Sequence, residues 1–188
     1  MGNPNKTVLC EQGFGIVWLS GYANNENYVL SEIKSRLIDV FLQNWSTKLS
    51  NNEDTFLYFS FKSHFTPKHY LSSKLLNPTL KKYLSRFRCG VSKLNTHRYR
   101  YSQNKSHILC PFCPNQIESE IHSIFLCEAY KDLRLLYIPN KFIEKASLQT
   151  LAVLLSNESY QLFLGKYLLA MFTRREKLLK ERSTSLNN

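Results

Sequence analysis

Apolar side chains recur every three or four residues in three long stretches, the spacing that places them on one face of a helix. In Asn24–Leu49 the stripe is Leu30, Ile33, Leu37, Phe41 and Trp45, and Ser50-Asn51-Asn52 closes the element. From Pro78 to about Arg88 the stripe is Leu80, Tyr83, Leu84 and Phe87, with Lys81, Lys82, Arg86 and Arg88 placed largely around the other side. Asn77-Pro78 is a cap-then-proline start, and Gly90 is positioned as a left-handed stop. From Glu158 to about Arg182, with Asn157 as cap, the stripe runs Tyr160, Phe163, Leu164, Tyr167, Leu168, Met171 and Phe172.

Shorter elements lie between them. Glu118–Cys127 reads as a short helix with acids in its first turn. Tyr130–Ile138 continues helically until Pro139-Asn140, and Ser147 opens a helix through Leu155. Thr66-Pro67 is a further helix start, and the aromatic run Thr55–Phe61 fits helix or strand. Val91–Leu109 is polar and basic, and reads as irregular or weakly extended. Residues 1–12 and the tail from Ser183 read as loosely ordered.

Charge changes this picture. The net charge is +11, yet from Thr55 to Ile117 there is no Asp or Glu at all. That stretch carries eleven Lys or Arg, and the rest of the chain is neutral. A segment so biased has polyanions as its natural partner. Within it, Lys81, Lys82, Arg86, Arg88, Lys93, Arg98, Arg100 and Lys105 interleave with Tyr83, Phe87, Tyr99 and Tyr101. Cations neutralise phosphates and exposed rings stack on unpaired bases. Tyr83 and Phe87 belong to the apolar stripe. Tyr99 and Tyr101 are therefore the rings expected at a nucleic-acid surface with the eight cations, RNA or single-stranded DNA being the expected ligand.

The five cysteines are an odd number. The N-terminus lacks the charged-then-apolar form of a secretory signal, so an intracellular location, nucleus or cytoplasm, is expected, and metal binding fits better than a disulfide framework. No uninterrupted apolar run reaches ~18 residues, so no membrane span is expected. Cys110, Cys113, His122 and Cys127 stand in the pattern C-x2-C-x8-H-x4-C. Two thiolates on a tight knuckle, closed by an imidazole and a third thiolate from the following helix, complete a zinc tetrahedron. Four protein ligands leave no open position, so one structural zinc is expected. The competing reading is three unrelated cysteines and a core histidine, which this spacing disfavours. Cys10 and Cys89 are left as bland thiols. The expected fold is mostly α: a small helical domain with a CCHC zinc knuckle and little or no sheet. Residues 1–76 form an N-terminal helical region, 77–138 the basic segment with the knuckle, and 139–188 the C-terminal helices.

Those residues resemble a known family, the C-terminal tail that follows the reverse transcriptase in non-LTR (LINE-type) retrotransposon proteins of animals. The resemblance runs over about residues 13–178. It starts at Gly13-Phe14-Gly15-Ile16-Val17-Trp18 and passes through Leu84-Ser85-Arg86-Phe87-Arg88-Cys89-Gly90, Lys93-Leu94 and Arg98-Tyr99. The knuckle residues follow, with Glu120 two before the histidine, then Tyr130, Asp132-Leu133-Arg134 and Tyr137-Ile138-Pro139. The chain departs from the family pattern at His97, at Asn95 and at Ile108-Leu109 before the first cysteine. The resemblance implies a nucleic-acid-binding accessory to target-primed reverse transcription, with a reverse transcriptase or a second copy as a further partner.

A polymerase Tyr-x-Asp-Asp motif, a His-x-Glu pair for a zinc deaminase, a phosphate loop and a nucleophile elbow are all absent from the sequence. A binding module rather than an enzyme is therefore expected. The alternative is a helical protein-interaction or dimerisation module with a structural zinc, whose surface would be Tyr160, Phe163, Tyr167 and Phe172. That surface is lost if the stripe instead packs inside the chain, against the helix of residues 24–49.

Overall fold

The computed structural model describes Gly13, Gly15, residues 26–51, Tyr58, Lys62, Phe65 and residues 68–185. The expectations for residues 1–12, for Thr55–Phe61 as an element and for Thr66-Pro67 lie outside these. The chain falls into two compact units, residues 1–51 and 52–188. The first holds α1 (Glu26–Ser50), whose Leu30 and Leu37 are exposed.

The second unit contains α2 (His69–Ser72), α3 (Pro78–Arg88), α4 (Asn95–Arg98), α5 (Lys131–Tyr137), α6 (Asn140–Ile143), α7 (Leu148–Ser156) and α8 (Gln161–Ser185). Short 3-10 turns lie at Lys105–Ile108, Glu128–Tyr130 and Glu158–Tyr160, and a π turn at His122–Leu126. Among the described residues there is no strand, only an isolated antiparallel bridge between Leu109 and Ile117. The fold is mostly helical, as its periodicity implied.

Helix α3 starts and ends by the chemistry written in its sequence. The Asn77 side chain accepts the Leu80 N–H at 2.9 Å. At the other end Gly90 adopts φ +63. The Gly90 N–H bonds to the Phe87 carbonyl (3.2 Å) and the Val91 N–H reaches back to Arg86 (2.9 Å), the paired bonds of a Schellman stop. Helix α8 is the centre of the unit, packing on α3, α5 and α7. Its Leu164, Tyr167, Leu168, Met171 and Phe172 are fully buried, each worth about 1.5–3 kcal/mol of transfer free energy. Gly165 lets α3 approach: a Cβ there would lie 3.3 Å from Leu80 Cβ and 3.4 Å from Leu84 Cδ1. The Tyr83 and Phe172 rings stack at 5.7 Å.

Several expectations are corrected. The partner of the α8 stripe is α3, so Tyr167 and Phe172 belong to the core and not to an exposed interaction surface. Of that surface only Phe163 stays exposed, while Tyr160 lies half-buried with its ring edge-on to Phe142 at 5.1 Å. Val91–Leu109 is irregular rather than extended, with two short turns within it. Glu118 Oε2 accepts the Asn95 N–H at 2.7 Å and starts α4; Asn104 Oδ1 accepts the Ser106 N–H at 3.0 Å and starts the 3-10 turn. The Asn104 bond is a local cap of the kind that competes with extended backbone, whereas the Glu118 bond reaches across 23 positions. Helix α8 continues to Ser185, past the expected fraying point.

Candidate metal centre

Three pieces of backbone bring the four sequence-predicted ligands together. Cys110 and Cys113 sit on a hairpin-like turn opened by the Leu109–Ile117 bridge. Within it the Cys110 N–H bonds to the Gln116 carbonyl (2.6 Å), the Gln116 N–H to the Cys113 carbonyl (3.4 Å) and the Glu118 N–H to the Ile108 carbonyl (2.9 Å). Asn115 takes the tip at φ 58, a left-handed conformation that asparagine tolerates well.

The return path explains the four-residue gap between His122 and Cys127. In an α-helix of 3.6 residues per turn, positions five apart point about 140° away from each other. Here the Cys127 N–H bonds to the His122 carbonyl at 2.7 Å, an i→i−5 bond. The π turn that it closes overlays the two residues on one side. Cys127 then leaves the turn in extended backbone, and both side chains face the knuckle. Ser119 Oγ accepts the His122 N–H (3.2 Å), and the buried Tyr167 hydroxyl donates to the Ser123 carbonyl (2.6 Å).

Candidate ligand atoms of Cys110, Cys113, His122 and Cys127 all lie within 4.8 Å of one another. Cys110, His122 and Cys127 are buried and Cys113 half-buried. The Sγ atoms of Cys110 and Cys127 are 3.9 Å apart, and those of Cys113 and Cys127 3.7 Å. A disulfide needs about 2.05 Å. A tetrahedron with metal–sulfur bonds of about 2.3 Å sets sulfurs about 3.8 Å apart. The observed spacing is too long for a disulfide and fits shared coordination of one ion.

Two further features test whether a cation fits. His122 Nε2 is buried with no hydrogen-bond partner among the described residues, a costly state for a polar atom unless an ion takes it. The thiols also frustrate one another. The Cys127 hydrogen bond, with help from His122 and the Phe112 and Cys113 amides, pulls the Cys110 thiol well down against the opposing effect of burial. The same pairing with Cys110, followed by burial, pushes Cys127 up. Cys110 and Cys127 thus oppose each other's ionisation, and a positive ion between them would relieve that opposition. The residues present fit a four-coordinate ion.

Residues beyond the four fix the site, and sequence reasoning did not single them out for it. Arg134, buried, donates Nη1 to the Cys127 carbonyl at 3.0 Å. Glu118 and Arg175 form a fully buried pair that ties the turn to α8 (Nε–Oε1 and Nη2–Oε2 both 2.8 Å), and Arg175 Nη2 also donates to Asn95 Oδ1 (2.8 Å). Glu120 accepts from His97 Nε2 at 2.7 Å. Burial pushes the Glu120 carboxyl up, but the hydrogen bond and charge of His97 outweigh it and hold Glu120 below its ordinary range.

The basic and aromatic positions divide. Lys82, Arg86, Arg98 and Lys105 are exposed and form no ion pair among the described residues. Tyr101 is 86% exposed and Tyr99 38%. Arg98 lies over the Tyr99 ring (5.6 Å), which lies 5.2 Å from the His107 ring. Lys81 Nζ is tied to the Leu71 carbonyl (2.7 Å), Lys93 pairs with Glu176, and Arg100 donates to the Gly90 carbonyl. Arg88 is a correction. Its charge suggests the polar side of its helix, but it is 2% exposed with its guanidinium 4.5 Å from the Tyr70 ring centre. It serves the core and cannot reach a surface ligand.

Among the described residues no helix is long and apolar enough to cross a membrane. No known protein family, curated protein or solved structure matches the chain.

Proposed function

We propose that this chain is a zinc-stabilised nucleic-acid-binding module, with one structural zinc held by Cys110, Cys113, His122 and Cys127 in a CCHC knuckle, and RNA or single-stranded DNA as its ligand. The observation that carries this reading is the acid-free stretch 55–117 running straight into the cysteine–histidine cluster, with Lys82, Arg86, Arg98 and Lys105 exposed. Zinc is the ion best suited to three thiolates and an imidazole in a tetrahedron. Its work is to fix the turn: the closed ligand set leaves no place for substrate. The resemblance to retrotransposon reverse transcriptase tails supplies the setting, in which such a module acts by binding, holding template RNA or target DNA near a polymerase.

The test is equilibrium binding of a labelled single-stranded oligonucleotide to the zinc-loaded chain across a salt series. The affinity should fall with a log–log slope of about −0.7 for each phosphate contacted. A flat salt response, or no binding at low salt, overturns the reading.

A further inference from the structure

A cavity of about 450 Å³ lies between the 95–109 segment, the knuckle and the C-terminal half of α8, within the range of roughly 300–1,000 Å³ typical of small-ligand sites. Its walls include Asn95, Arg98, Tyr99, Ser106, His107 and Arg175, together with Pro111 from the knuckle and Leu179 from α8. No carboxylate lines it, and Cys110, which also lines it, belongs to the candidate ligand set, where a bound ion would neutralise its charge. Glu118, bonded to the wall residues Asn95 and Arg175, is 1% exposed and neutralised by Arg175. The cavity is therefore open to an anion-bearing ligand.

Its chemistry is more selective than charge alone. The Tyr99–His107 ring pair, 5.2 Å between centres and tilted by 52°, offers π surface at the wall. The Arg98 guanidinium lies 5.6 Å from the Tyr99 ring centre, where a stacked base would compete for the same ring surface. Arg98 is exposed, so it can turn from the ring to a phosphate. The amide and the hydroxyl at the wall, Asn95 and Ser106, are already engaged. Asn95 Nδ2 donates to the Leu109 carbonyl (2.8 Å) and its Oδ1 accepts from Arg175 (2.8 Å). Ser106 Oγ donates to Asn104 Oδ1 (2.7 Å).

We infer that this cavity takes one unpaired nucleobase of a single-stranded nucleic acid, stacked beside Tyr99 and His107 with its flanking phosphate on Arg98, so that the module distinguishes single strands from duplexes without reading base identity. The inference rests on the nucleic-acid reading above and adds the site and its selectivity. A base held in a duplex cannot enter, because its faces are already stacked. Base–aromatic stacking tolerates any sequence, since every base has a π face.

The test uses the full zinc-loaded chain and a single-stranded DNA oligomer containing 2-aminopurine, whose fluorescence is quenched on stacking, beside a duplex of the same sequence. The wild type should prefer the single strand and quench the probe. Tyr99→Ala should weaken single-strand binding about tenfold and abolish quenching with the salt slope unchanged. Tyr99→Phe should keep both, and Arg98→Ala should reduce the salt slope by about 0.7. If Tyr99→Ala binds within about twofold of wild type and still quenches, the pocket is refuted while the nucleic-acid reading stands. If Tyr99→Phe loses as much as Tyr99→Ala, with a matching loss of thermal stability, Tyr99 is structural and the pocket is again refuted. If the wild type itself shows no salt-dependent binding, both fall.

Discussion

Replacing Glu118 with Gln would test the buried link between the metal turn and the central helix. The two side chains are 1% and 3% exposed, joined by two 2.8 Å bonds, and Asn95 bonds to both through its N–H and Oδ1. At an effective dielectric near 20, unit charges about 4 Å apart attract by about 4 kcal/mol. Removing one partner of a buried pair costs about 3–5 kcal/mol, because the other charge stays buried uncompensated. Gln retains some hydrogen bonding, so Glu118→Gln belongs near about 3 kcal/mol. Arg175→Met should cost similarly. The double change Glu118→Gln with Arg175→Met leaves no stranded charge and loses about 1–3 kcal/mol, chiefly for the hydrogen bonds lost around Asn95. Urea unfolding of the four proteins at fixed zinc gives the coupling energy, expected to be at least about 2 kcal/mol. Single changes that each cost under about 1 kcal/mol and simply add would refute the argument.

Other perturbations follow from the same contacts. Gly165→Leu should destabilise by at least about 1–3 kcal/mol by forcing α3 from α8. Gly165→Ala should stay within about 1 kcal/mol, the helix-propensity gain offsetting the 3.3 Å squeeze against Leu80; both are read by urea unfolding. Arg134→Met removes one of two hydrogen bonds to the Cys127 carbonyl, the Tyr130 N–H (3.2 Å) keeping the other, and zinc affinity measured by chelator competition should fall about tenfold. The hydrogen bond and charge of Arg174 hold the exposed Asp132 carboxyl down to about 2 from 3.8. Any stabilisation from that pair is full above the unfolded value and disappears as pH falls through the folded one. Solvent screening limits the cost of Asp132→Asn to under about 1 kcal/mol, and carboxyl NMR titration should show the depressed value.

What the sequence disclosed depended on how local the cause was. Helix α3 was legible at both ends because Asn77-Pro78 and Gly90 act within a turn of themselves. The four metal-ligand positions were legible because knuckle spacing is a local pattern. The π turn was not: nothing in His122–Leu126 distinguishes an i→i−5 ladder from an α one, and only the need to face two side chains the same way selects it. Arg88 carried a signal that charge obscured, since it lies four residues after Leu84 and eight after Leu80, on the buried line of its helix. Arg175, four residues after Met171 on α8, sits on a core line in the same way. Its partner Glu118 is 57 positions away, beyond the reach of periodicity. The base pocket joins a turn, a knuckle and a helix, so the sequence supplied its ring and cation but not its walls.

The central claim is that three thiolates and one imidazole hold a structural zinc. Metal analysis of the purified chain, joined to X-ray absorption at the zinc edge, tests it most directly. One zinc per chain is expected, with three sulfurs at about 2.3 Å and one nitrogen at about 2.0–2.1 Å, lost in Cys113→Ser and His122→Ala together with the folding free energy, on the order of 10 kcal/mol, that such sites supply. A folded wild-type chain with no zinc, or zinc held equally well by both variants, would contradict the account.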